Sequence, residues 1–280
     1  MRVSIRQLQQ MKQCGEKIPM ATAYDYTAAR LVDAGGVPII LVGDSLGQCV
    51  LGYDSTLPVT MDEMVHHVKA VVRGAQNAHI VADMPFMSYQ AGRDLALSNA
   101  GRLLKEGGAQ SVKIEGGRHI AATVRDMVSM GIPVMSHIGF TPQSENQLGK
   151  GRIQGKRPVG ALSLIEDAIE LESAGAYSIV LELVPSQLAS VITQKLSIPT
   201  IGIGAGVHCA GQVQVFHDML GMIEDFAPKH ARRYAELGEA IKLAISRYVK
   251  DVREQTFPAE DESHQMDKAS LERLSESLTG

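Results

Sequence analysis

Short apolar runs alternate along this chain with longer segments of helical spacing, and that rhythm limits the fold more than any other feature. The runs at 19–23, 38–42, 79–82, 111–114, 133–135, 178–181 and 199–203 read as strands, with an eighth at 212–216. Segments at 61–73, 94–106, 120–130, 162–174 and 186–195 carry helical spacing, and Gly74, Gly107, Gly131 and Gly175 close four of them. A last long helix is expected at 231–250. The runs are apolar throughout rather than alternating, so the strands should be buried on both faces, as in a parallel sheet. About eight strand–helix units point to an α/β fold of the TIM (β/α)8 barrel type. Expected with it are an N-terminal helix, extended loops at the C-terminal face, and a short connection between strands 7 and 8. A doubly wound open sheet is the competitor, but no GxGxxG follows the first strand to support it.

The 280 residues divide by this reading into one barrel domain, 1–252, and a charged, Ser-rich, flexible tail, 253–280. A short amphipathic helix around Leu271, Leu274 and Leu278 is the alternative for the tail. Two long inserts, 47–60 and 139–159, interrupt the rhythm and read as lids or binding loops. Aromatics are 4% of residues, Trp is absent and the formal charge is −4, so no stacking platform or basic field for nucleic acid is expected. Three cysteines, Cys14, Cys49 and Cys209, lie far apart with no CxxC pair, which supports neither a zinc knuckle nor a disulfide framework. The segment MRVSIRQLQQMKQ lacks an apolar core of the secretory kind, and no run is long enough to span a bilayer. The expectation is a cytoplasmic protein without membrane partners.

The strand ends carry the chemistry. In order they offer Thr22 with Tyr24-Asp25, Asp44-Ser45, Asp83, Lys113 with Glu115, His137, Glu182, the glycine-rich IGIGAG (201–206), and His217-Asp218. In a barrel these ends converge on one face, where active sites are built. An Asp or Ser after a strand also caps the next helix, but after Asp44-Ser45 and after Asp83 the next helix is delayed. Asp44, Asp83 and Glu115 are hard oxygen donors suited to Mg2+, which takes one or two carboxylates and fills its shell with water and substrate oxygens. Lys113 and Glu115, two apart on one strand, can share the inward face; a buried salt bridge is the plainer reading of the pair. Glu182 can act as a base. His137 is either a substrate contact or a satisfied hydrogen-bonding histidine. IGIGAG is either a phosphate cradle or a tight turn.

TAYDY (22–26), LVGDSLG (41–47), GYDSTLPVT (52–60), ADMPF (82–86), VKIEGG (112–117), HIGFTPQS (137–144), LELVP (181–185) and IGIGAG, with QVQVFHDMLG (212–221) after them, together resemble the ketopantoate hydroxymethyltransferases. The motifs stand in the family's order over roughly residues 1–257. The resemblance implies a Mg2+-dependent barrel that moves a one-carbon unit from 5,10-methylenetetrahydrofolate to 3-methyl-2-oxobutanoate. It implies metal-site carboxylates at Asp44, Asp83 and Glu115, substrate contacts at Asp44, Ser45, Asp83, Lys113 and His137, and a proton acceptor at Glu182. It also implies a cytoplasmic homo-oligomer, often a homodecamer. Ala210 stands where the family often has an acidic residue, KGRIQGKRP (150–158) departs from its usual loop, and the tail past Pro258 is expected to exceed the family's usual end. The alternative is a Mg2+-dependent α-keto-acid lyase or mutase of the isocitrate lyase or phosphoenolpyruvate mutase type.

Overall fold

The computed structural model describes residues 2–224 and 228–279. Eight parallel strands close into a barrel in sequence order: β1 (Ile18–Thr22), β2 (Ile39–Val42), β3 (His79–Asp83), β4 (Ser111–Glu115), β5 (Val134–Gly139), β6 (Ser178–Glu182), β7 (Thr200–Ile203) and β8 (Gly211–Gln214). β8 pairs with β1 through Ile18↔Gly211 and Met20↔Val213, which closes the ring. The helices are α1 (Ile5–Gln13), α2 (Tyr26–Ala34), α3 (Leu46–Cys49), α4 (Met61–Gly74), α5 (Arg93–Lys105), α6 (Ala121–Ser129), α7 (Glu145–Leu148), α8 (Pro158–Ser173), α9 (Ser186–Lys195), α10 (Phe216–Met219), α11 (Leu237–Arg253) and α12 (Lys268–Thr279).

Strand periodicity divides the core in two. Alternate residues such as Ile40, Ile80, Val112 and Ile179 face outward and meet the helices. α4 shows why a helix sits there: Met64, Val65, Val68 and Val71 fall on one buried stripe, and Thr60 and Glu63 form a capping box at its start. Each such buried aliphatic side chain contributes roughly 1.5–3 kcal/mol. The inward set, Met20, Ile39, Leu41, Val81, Met135, Val180, Ile201 and Val213, fills the barrel's middle. Leu8 of α1 joins that cluster from below. α1 is tied down as Lys12 Nζ donates to the carbonyls of Thr193, Leu196 and Ile198, at 3.1, 2.7 and 2.7 Å. With its lower end plugged, the barrel opens only at the strands' C-terminal ends.

The N-terminal helix, the barrel and the short link between strands 7 and 8 agree with the sequence reading. Gly204, at φ +64°, turns the chain in that link. The IGIGAG segment thus serves as the turn of the second sequence reading. Three boundaries differ by four residues or more. β5 continues to Gly139, paired with β6 as far as Gly139↔Glu182, past the polar Ser136 and His137 that break the apolar run seen in sequence. α8 begins at Pro158, a proline suited to a first helical turn. The last long helix starts at Leu237 rather than 231. The chain before it folds back on α10 instead, with Tyr234 N–H donating to Met219 O and Leu237 N–H to Leu220 O. The tail's second reading holds for its end: α12 is a helix, with Leu271, Leu274 and Leu278 exposed. Among the described residues no helix is long and apolar enough to cross a membrane.

Candidate active site

The polar strand ends meet at the open mouth. Asp83 closes β3, Lys113 and Glu115 lie on β4, His137 on β5, and Glu182 closes β6. Asp44 and Ser45 follow β2. All of these line one cavity of about 290 Å³, whose wall also includes Leu41, Val180, Ile203, Val213 and Phe140. Every side chain singled out from the sequence as catalytic, substrate-binding or metal-binding therefore faces the same space. Register explains the pairing: Asp83 stands beside Lys113, and Glu115 beside His137, on adjacent strands. Gly43 leaves room for the Ser45 side chain, since a Cβ there would lie 2.7 Å from Ser45 Oγ.

Some strand-end residues do other work. Asp25 caps α2 by accepting from Ala28 N–H at 2.8 Å, so the plainer reading wins there. Tyr24 is buried, and its hydroxyl meets Ser45 Oγ at 2.8 Å. Ser45 occupies the N-cap position of α3 but makes no capping hydrogen bond. Its hydroxyl is thus oriented by Tyr24 toward the cavity it lines.

The charges form one buried cluster. Lys113 Nζ lies 3.1 Å from Asp83 Oδ1, 3.9 Å from Glu115 Oε1 and 3.2 Å from His137 Nδ1. His137 Nδ1 also lies 3.3 Å from Glu115 Oε1, and its Nε2 lies 3.3 Å from Glu182 Oε2. Asp44 N–H donates to Asp83 Oδ2 at 3.1 Å. Burial, then Asp83 and Glu115, push the Asp44 carboxyl well above its usual range. Burial raises Asp83 as well, against the pull of Lys113. Glu115 resists burial because His137, Lys113 and the Gln143 N–H hold it below the usual range. Burial and Lys113 depress His137, but its contacts with Glu115 and Glu182 outweigh them and raise it to about 8.

Three carboxyl groups thus share one ammonium and one imidazole, and the upward shifts of Asp44 and Asp83 mark a crowding of like charge that a further cation would relieve. Asp83 Oδ1 is buried without a well-directed hydrogen bond. Among the described residues no three His, Cys, Asp or Glu side chains stand gathered as a ready-made metal cage. Hard oxygen donors in that arrangement fit a Mg2+-like ion held by one or two carboxylates and otherwise by water and substrate.

Sequence reasoning missed Gln143, Tyr89 and Leu183. Gln143 and Tyr89 are buried beside the carboxylates, and both come from loops that carry no periodicity. Leu183 follows Glu182 at φ +47°, a left-handed conformation unusual for leucine. It falls within the LELVP motif, but nothing in that motif marks its conformation.

A family model described as ketopantoate hydroxymethyltransferase matches residues 2–260. A 3-methyl-2-oxobutanoate hydroxymethyltransferase of Chloroflexus aggregans is 58% identical over 271 residues, covering 97% of this chain and 96% of that one. One from Dehalococcoides mccartyi is 58% identical over 274 residues, covering 98% of each. The family model ends close to Pro258, where the sequence reading placed the family's usual end, while the match to that relative runs on into the segment beyond it. Among solved structures, phosphoenolpyruvate phosphomutase of Streptomyces platensis subsp. rosaceus superposes with a TM-score of 0.60 at 15% identity, over 98% of this chain and 96% of that one. That likeness is one of fold.

Proposed function

The chain belongs to the ketopantoate hydroxymethyltransferase family, and from that premise we propose that it transfers a one-carbon unit from 5,10-methylenetetrahydrofolate to 3-methyl-2-oxobutanoate. The product is 2-dehydropantoate (ketopantoate), on the route to pantothenate and coenzyme A. One observation carries the reading: a single cavity in which carboxylates, an ammonium and an imidazole face an apolar wall. The substrate has matching halves, a carboxylate beside a keto oxygen and a branched alkyl end.

Glu182 is the proton acceptor at C3 in this reading. Its side chain is 17% exposed, against 3% for Glu115, so it is the carboxylate with room to meet substrate. His137 Nε2 lies 3.3 Å from its Oε2 and is its nearest charged neighbour across the β5–β6 pair. Lys113 and the Tyr24-oriented Ser45 hydroxyl receive the substrate's carboxylate, and the aliphatic wall packs its branched end. Asp44, Asp83 and Glu115 would hold Mg2+, which when bound supplies Lewis-acid stabilisation of charge developing on the keto oxygen. Removal of the C3 proton leaves an enolate, and its C3 forms the new bond to the methylene carbon. In the balance one water is consumed, a hydroxymethyl group is gained and tetrahydrofolate leaves.

The homodecamer is part of the proposal. α11 buries none of its residues, yet Leu237, Ile241, Ile245, Tyr248 and Val252 recur on it at helical spacing and are exposed. A cytoplasmic location accords with a biosynthetic activity on small soluble substrates.

Product analysis tests the reaction. Incubation with 3-methyl-2-oxobutanoate, Mg2+ and 5,10-methylenetetrahydrofolate is expected to yield 2-dehydropantoate. Omitting the folate should abolish the product. Turnover of the keto acid that ignores the folate would instead favour the lyase or mutase chemistry of the wider fold.

A further inference from the structure

We propose that Gln143 is a positioning residue for this reaction, holding one oxygen of Asp44 and one of Glu115 and so fixing the direction in which each carboxylate presents the other. The inference rests on the metal site proposed above and adds a residue to it.

Gln143 sits in a single 3-10 turn, Pro142–Ser144, after β5. It is buried, with 5% of its surface exposed. Its Nε2 donates to Asp44 Oδ2 at 2.8 Å and to Met84 O at 2.9 Å. Its backbone N–H donates to Glu115 Oε2 at 3.0 Å. Its Oε1 accepts from Gln90 Nε2 at 3.1 Å and lies 2.9 Å from Tyr89 Oη. The amide orientation follows from those partners. Reversed, its NH2 would face a second NH2 and its carbonyl would face a carboxylate and a carbonyl. Tyr89 is bound into the same network, accepting from Glu115 N–H at 3.0 Å and lying 2.9 Å from Glu115 O.

This placement answers a geometric problem. The β2–β3 ladder ends at Val42↔Ala82 and the β3–β4 ladder at Asp83↔Lys113. Asp44 lies beyond the end of the β2–β3 ladder and is held there by its N–H on Asp83 Oδ2, while Met84 keeps one backbone bond to β4, its N–H donating to Lys113 O at 2.9 Å. Gln143 ties the continuations of β2 and β3 to β4 from outside the barrel's own register. A carboxylate held at one oxygen keeps the other directed, whereas an untethered Asp44 can rotate toward Lys113. Oxygen ligands of a metal are ordinarily oriented by such partners.

Mn2+ titration of the metal-free protein, followed by calorimetry or by the electron paramagnetic resonance of free Mn2+, tests the assignment. Gln143→Met keeps the side chain's length and removes its hydrogen bonds. We expect Mn2+ affinity to fall by about ten- to a hundredfold in protein that is folded by circular dichroism. Tyr89→Phe, which removes one of the two partners of Gln143 Oε1 and leaves Gln90 and the contact to Asp44 in place, should show a smaller loss in the same direction. It stands in as the test if Gln143→Met does not fold. A merely structural Gln143 would lower the thermal midpoint and leave the Mn2+ affinity of the folded protein unchanged, and that result would overturn the assignment alone. Wild-type protein that binds no Mn2+ would overturn the proposed metal site and the assignment together.

Discussion

Glu182→Gln is expected to slow exchange of the C3 hydrogen of 3-methyl-2-oxobutanoate into D2O by roughly a hundred- to ten-thousandfold, the usual worth of a positioned base. The substitution keeps the shape of the side chain. It keeps an oxygen that can accept from His137, which lies 3.3 Å away. It removes only the capacity to take a proton from carbon. Because exchange needs no folate, the experiment isolates deprotonation from one-carbon transfer. Proton NMR of the C3 signal in D2O, with Mg2+ present, gives the rate directly. Product formation with the folate should fall in parallel. Exchange undiminished in the variant would remove Glu182 from the role of base, and His137 would then be the neighbouring group to test.

Lys113→Met is expected to cost about 3–5 kcal/mol of folding stability in EDTA, as breaking a buried ion pair does when one charge is left uncompensated. Lys113 is buried between Asp83 and Glu115. Burial pulls its pKa down, but Asp83, Glu115 and Asp44 hold it above the usual lysine range. Removing the ammonium leaves three carboxylates with His137 alone as a positive neighbour. Urea unfolding of wild type and variant measures the loss. Added Mg2+ should recover part of it in the variant, because a divalent cation replaces the missing charge among the same oxygens. A loss below about 1 kcal/mol, within the range of an exposed pair, would mean that the cluster is not the tightly coupled one described.

The barrel was legible because its strands are buried on both faces and read as apolar blocks separated by capped helices. The site was legible because charged residues at the ends of apolar runs have few structural explanations, and Asp44, Asp83, Glu115 and Glu182 each stand at such an end. Where a polar residue did have another explanation, the sequence misled. Asp25 looked like a strand-end candidate but caps α2, a helix whose short apolar stripe gave it no place among the expected helices. β5 was cut short for the converse reason, since His137 faces the polar cavity and Ser136, on the opposite face, is polar too, and together they interrupt the apolar pattern. Gln143 was in view only as part of the HIGFTPQS motif, with no role attached to it. A glutamine in a loop shows its worth only when folding brings Asp44 and Glu115, far away in the chain, to either side of it.

The central claim is that the buried carboxylates, a divalent cation and the keto acid share one site. Calorimetric titration of 3-methyl-2-oxobutanoate into the protein, once with Mg2+ and once with EDTA, tests it most directly. Two ligands that meet in one site must raise each other's affinity by the same factor, so the keto acid should bind roughly tenfold or more tightly when Mg2+ is present. Equal affinity in the two titrations would contradict the account.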